Sequence, residues 1–156
     1  MRHGYLLSTL LLVAASAQAG VVINGTRLVY QGDKKESSLG LSNPDTTDYL
    51  VQSWVDSGGK NLAKAPFLIT PPLFRLDAKE DNVLRVVRTG GNLPEDRESL
   101  YWLNIKAIPS SKHVEGVNTL QIATNTRIKL LYRPSEVKGK PEDMADKLEW
   151  HREGND

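Results

Sequence analysis

Val83-Leu84-Arg85-Val86-Val87-Arg88 decides how the rest of the chain is read, because apolar and charged residues take turns along part of it. Side chains of an extended chain point alternately to opposite faces, so this period of two marks a strand with one buried face. Leu120-Gln121-Ile122-Ala123-Thr124-Asn125 alternates in the same way. Working outward, further short β-rich runs are Val21–Tyr30, Ser37–Ser42, Tyr49–Asp56, Phe67–Thr70 with Leu73–Leu76, Leu100–Ile108 and Leu120–Tyr132. Between them lie Gln31-Gly32-Asp33, Asn43-Pro44-Asp45, Asp56-Ser57-Gly58-Gly59, Pro71-Pro72 and Gly90-Gly91-Asn92, residues that supply turn dihedrals or cap their own backbone. No segment carries a strong 3.6-residue apolar stripe. About seven short strands with regular turn signals predict an all-β, immunoglobulin-like seven-stranded antiparallel sandwich. Pro71-Pro72 removes two backbone donors, which puts that segment at an edge or at a crossing between sheets.

The two ends read differently. Met1-Arg2-His3, an apolar run from Tyr5 to Ala15 and the ending Ser16-Ala17-Gln18-Ala19 predict a secretory signal peptide over residues 1–19, cleaved after Ala19. A bilayer span takes about 20 apolar residues, and this run is about half that. Residues 20–137 then form the sandwich domain. From Lys138 the chain turns polar, with Lys138-Gly139-Lys140-Pro141-Glu142-Asp143 linker-like and Leu148-Glu149-Trp150 resembling the start of one more strand. Residues 138–156 are thus expected to be a linker and the first strand of a second domain.

The 156 residues carry 20 Lys+Arg against 19 Asp+Glu, 39% hydrophobic side chains and no cysteine. Near-neutral charge gives no general pull toward nucleic acid. The lack of Cys excludes disulfides, Cys-based metal sites and a cysteine nucleophile, and export without Cys suits a bacterial envelope protein. His113 and His151 lie far apart, each in a predicted loop or tail, and no glycine-rich loop has the spacing or Lys of a phosphate site. No enzyme, no metal, no cofactor and no small-molecule substrate are expected.

Three features remain. Leu120–Thr124 reads on periodicity alone as a half-buried strand. Thr126-Arg127-Ile128-Lys129-Leu130-Leu131-Tyr132-Arg133-Pro134 interleaves cations with apolar residues, the pattern of a solvated face with snorkelling side chains. Arg27 sits midway along the first run, as on the outward face of an edge strand.

Leu93-Pro94-Glu95-Asp96-Arg97-Glu98-Ser99-Leu100-Tyr101-Trp102-Leu103-Asn104-Ile105-Lys106-Ala107-Ile108-Pro109-Ser110 closely resembles the signature of the periplasmic pilus chaperones of the chaperone–usher pathway. Gly25–Tyr30, Ile69–Pro72, Phe74–Leu76 and Ile128–Pro134 fall where that family has comparable segments, in the same order. The resemblance implies the first of two immunoglobulin-like domains, lending a strand to pilin subunits that lack one and passing them to an outer-membrane usher. It assigns Leu120, Ile122 and Thr124 as the donor residues, Arg27 and Lys129 as the anchor for the pilin's C-terminal carboxylate, and Glu98 and Arg133 as members of an interdomain ionic network. Thr124 departs from the family's usual large apolar residue. Because Lys129 has opposite parity to Leu120 and Ile122, a bulge or strong twist between them is expected. The short loop Ser110–Thr119 resembles the branch serving rod-like pili. Competing readings are a secreted immunoglobulin-like structural or adhesive protein and a truncated, non-functional chaperone fragment. An exposed apolar edge also invites self-association.

Overall fold

The computed structural model describes residues 20–59, 65–111, 120–139 and 141–151. The described strands are β1 (Val22–Ile23), β2 (Arg27–Gln31), β3 (Glu36–Ser42), β4 (Tyr49–Asp56), β5 (Phe67–Thr70), β6 (Leu73–Leu76), β7 (Asp81–Arg88), β8 (Ser99–Pro109) and β9 (Thr124–Arg133). They build two sheets, ordered β1-β3-β7-β5 and β2-β9-β8-β4-β6. Neighbours are antiparallel throughout except for β2 and β9, which run parallel.

The sandwich is the one the alternation predicts, with nine described strands in place of seven. Two runs change sheets part-way. The first crosses between Ile23 and Arg27, where the Gly25 N–H donates to the Ile23 carbonyl at 2.9 Å. The second crosses at Pro71-Pro72, where the Thr70–Pro71 bond is cis. Those carbonyls are not wasted, because the Ser53 N–H donates to Pro72 O at 2.9 Å and its hydroxyl to Pro71 O at 3.1 Å.

Two further expectations are corrected. The run Leu120–Tyr132 becomes a strand only from Thr124, whose partner Ala107 forms the last rung with β8. β8 then ends at Pro109, which has no N–H to offer, and β2 starts only opposite Lys129, so Leu120–Ala123 finds no ladder on either side. The second correction concerns the tail. Leu148-Glu149-Trp150 is not a strand; Pro141–Lys147 forms a 3-10 helix instead, and Leu148 and Trp150 are exposed.

Leu41, Leu84 and Val86 from one sheet meet Val51, Leu103 and Leu130 from the other, all fully buried. Burying each such side chain contributes about 1.5–3 kcal/mol. At one end Tyr30, Phe67 and Tyr132 cluster, with Tyr30 and Phe67 edge-to-face at 5.5 Å. The Tyr30 hydroxyl donates to Lys35 O at 2.9 Å, so the ring is buried with its polar end satisfied.

Candidate functional site: a carboxylate-sized cation pair beside an open strand edge

Along β9 the core-facing residues are Ile128, Leu130 and Tyr132, which leaves Arg127, Lys129, Leu131 and Arg133 on the outer face of the five-stranded sheet. On β2 the buried Leu28 and Tyr30 likewise leave Arg27, Val29 and Gln31 outside. Arg27 and Lys129 are register partners, the first rung of the parallel pair. Adjacent strands lie about 4.8 Å apart, so the two stems emerge side by side. Among the described residues neither makes an ion pair. Two cations on one rung have the chemistry to hold a small planar anion, with Arg suited to fork geometry and Lys acting as a point charge.

The same rung marks where the edge of β9 changes character. From Lys129 to Arg133 that side is covered by β2; from Thr124 to Ile128 it pairs only with β8. The open half presents backbone donors and acceptors to a further strand. Immediately before it, Leu120 is 88% exposed and Ile122 66% exposed. The register between β8 and β9 is unbroken from Thr124 to Tyr132, so the expected bulge is not found in the paired span. Thr124 and Lys129 take opposite faces through the ordinary pleat.

The rung continues across the sheet as Arg27, Lys129, Trp102 and Asp56. Asp56 is 6% exposed and fully engaged. Its carboxylate accepts from the Gly58 N–H at 2.8 Å, the Asn104 amide at 2.7 Å and the Arg127 guanidinium at 2.7 Å. Burial works to raise its pKa, and these three donors together outweigh it and hold the carboxyl below its ordinary value. Arg127 also stacks over the Trp102 ring at 4.6 Å. Asp56 therefore has its counter-charge in Arg127, and Lys129 is left to its neighbour Arg27.

Below this rung an apolar one, Val29 with Leu131 and Leu100, leads to Glu98 and Arg133. Arg133 donates to the Glu98 carboxylate at 2.6 Å and also to the Gly139 carbonyl. With the apolar floor of Val29 and Leu131 they line a cavity of about 460 Å³ that also takes in Arg27 and Glu142. His113 lies outside the described residues, as does the predicted loop Ser110–Thr119 from position 112 onward. Among the described residues there is no cluster fit to hold a metal ion, and no helix is long and apolar enough to cross a membrane.

Sequence reasoning missed the Asp56–Arg127–Trp102–Asn104 cluster. Its sole local signal was Asp56 two residues before Gly58, which reads as a turn; the partner cation lies 71 positions away.

The fold and this outer face match a known family. Residues 20–138 fit the model for the pili and flagellar-assembly chaperone, PapD N-terminal domain. The chain is 48% identical to the chaperone protein LpfB of Salmonella typhimurium, covering 99% of this chain and 69% of that protein. It is 43% identical to the chaperone protein FimC of Escherichia coli K12, covering 97% of this chain and 64% of that one. Among solved structures, a chain of the Salmonella enterica SafA pilin–SafB chaperone complex superposes with a TM-score of 0.78 at 42% identity, over 90% of this chain and 67% of that one. The periplasmic chaperone SfaE gives 0.74 at 42% identity, over 85% and 67%. The chain belongs to the pilus chaperones of the chaperone–usher pathway, a non-enzymatic family, and it spans about two thirds of the length of these relatives.

Proposed function

We propose that this domain captures pilin subunits in the periplasm by donor-strand complementation and delivers them to an outer-membrane usher. The observation that carries the reading is the Arg27–Lys129 rung at the boundary between the covered and open halves of the β9 edge. A subunit strand laid along Thr124–Ile128 and the preceding segment runs directly toward two cations that no described carboxylate occupies. Its terminal carboxylate, held there by charge-assisted hydrogen bonds of about 1.5–3 kcal/mol each, fixes the register. Register decides function because a one-residue slip turns Leu120, Ile122 and Thr124 out of the subunit's groove. Leu120 and Ile122, now exposed, each gain about 1.5–3 kcal/mol on burial. The Glu98–Arg133 pair and the apolar Val29–Leu131 floor next to it suit contact with a second domain. That a solved relative is named as a complex of chaperone and pilin supports a pilin partner.

Co-purification of a cognate subunit from periplasm tests the reading. Arg27→Ala and Lys129→Ala are expected to abolish capture while leaving the melting temperature unchanged, since both side chains are exposed. Equal recovery by wild type and both variants removes the anchor.

A second reading, self-association, rests on the same open edge and on exposed Leu120 and Ile122. Sedimentation of the free protein at rising concentration tests it, and a monomer throughout excludes it.

A further inference from the structure

The backbone nitrogen of Gly20 donates to the Asp45 carboxylate at 2.7 Å, across 25 positions of sequence. The same oxygen accepts from the Tyr49 hydroxyl at 2.7 Å. The Asn43 side chain holds the loop, its carbonyl accepting from the Asp45 N–H at 3.1 Å and its amide donating to Thr47 O at 2.9 Å and to Asp77 O at 2.8 Å. A carboxylate on a braced loop already holds a neutral amide well, and it would hold a cation at the same nitrogen more strongly, because both partners would then be charged.

We propose that Asp45 is a receptor for an α-ammonium group, the chain's own amino terminus released by cleavage after Ala19. The inference rests on that reading of the signal peptide. Hydrolysis of the Ala19–Gly20 bond by water leaves a carboxylate on Ala19 and an amine on Gly20, which takes up a proton at neutral pH. The donor at 2.7 Å then gains a full charge without moving, and a hydrogen bond becomes an ion pair that the precursor lacks.

The charged and titratable groups around it are Asp45 from the β3–β4 loop, Tyr49 from the start of β4 and Lys79 from the β6–β7 turn. Lys79 commits its amine to the Pro44 carbonyl. Asp48, next along, is taken by Arg75 at 2.7 Å and by the Ala78 N–H at 2.9 Å. Asp45 thus holds the Gly20 nitrogen and the Tyr49 hydroxyl with no ion pair to a described cation.

The contact has a structural consequence. β1 makes just two rungs with β3, Val22↔Ser42 and Ile23↔Leu41, so little else holds its beginning. From Ile23 the chain reaches Arg27 in four residues. Tying Gly20 down more firmly after cleavage steadies the segment that delivers Arg27 to its rung.

The test uses protein secreted to the periplasm, its terminus checked by mass spectrometry. Three forms are compared: wild type starting at Gly20, Asp45→Asn, and a form with the cleavage site shifted so that Ala19 is retained. Nuclear magnetic resonance titration of the terminal amine is expected to give a pKa above the ordinary ~7.7–8.0 in wild type and within that range in the other two. Wild type is expected to melt roughly 3–8 °C above the Ala19-retaining form at pH 7, with the gap closing once pH exceeds the raised amine value. A terminus other than Gly20 overturns the processing reading and the inference with it. A Gly20 terminus whose amine titrates normally and ignores Asp45→Asn overturns the inference alone.

Discussion

Arg27 and Lys129 stand opposite each other on the first rung of the parallel β2–β9 pair, where the β9 edge passes from covered to open. The rung joins two otherwise separate properties. A strand edge offers affinity without register, and a pair of cations offers a fixed point without affinity for a chain. Side by side they specify one alignment of an added strand.

The proposed donor segment, Leu120–Thr124, should respond to side-chain chemistry at alternate positions. Ile122→Asp places an unpaired charge in the subunit's groove and should abolish capture. Thr124→Val removes a hydroxyl that needs a partner once buried and should tighten capture by about 1 kcal/mol, roughly fivefold. Competition between variants for a limiting subunit measures both.

Asp56 depends on Arg127. Replacing Arg127 by Ala leaves a carboxylate that is 6% exposed without its counter-charge and strips a cation from the Trp102 face. Since Arg127 is itself 42% exposed, solvent screens the pair, and a loss of about 1–2 kcal/mol in chemical denaturation is expected. Asp56→Asn together with Arg127→Ala should recover part of it.

Gly58 has φ +73°, and a Cβ there would lie 2.9 Å from the Trp102 ring. Gly58→Ala should therefore cost about 1–3 kcal/mol and shift tryptophan fluorescence, because the ring has to leave its stack with Arg127.

Stability should fall at both pH extremes through Asp45 and Tyr49. The hydrogen bond from Tyr49, then that from Gly20, hold the Asp45 carboxyl below its ordinary value; being depressed in the folded state, its contribution is present above about pH 4 and is lost as pH falls through the folded value. The hydrogen bond to Asp45, with burial, pushes Tyr49 up to about 12, so its contribution is complete below the ordinary value of about 10 and is lost as pH rises from there to about 12. Denaturant midpoints followed across pH should flatten at both ends in Asp45→Asn.

β4 was legible in the sequence because a β-rich run is bounded by Pro44-Asp45 on one side and Gly58-Gly59 on the other. Its bounds Tyr49–Asp56 are those of the strand observed. The sheet crossing within Val21–Tyr30 was not resolved, because alternation reports a buried face without saying which sheet owns it, whereas at Pro71-Pro72 the two missing donors had left an edge or a crossing as the alternatives. Arg127, Lys129 and Arg133 are three like cations in a row of alternate residues. What separates them is the partner each finds across the sheet: Asp56 for Arg127, Arg27 beside Lys129, Glu98 for Arg133. The last two were expected, both from resemblance; the first was not. The start of β9 depends on where β8 and β2 end, which no feature of Leu120–Ala123 itself encodes.

The most direct measurement pairs two synthetic peptides of one pilin C-terminal sequence, one ending in a free carboxylate and one in an amide. Isothermal calorimetry should give wild type at least a tenfold preference for the free acid, equivalent to about 1.4 kcal/mol, and no preference in Arg27→Ala or Lys129→Ala. Equal affinity of wild-type protein for the two peptides would contradict the anchoring role of this pair.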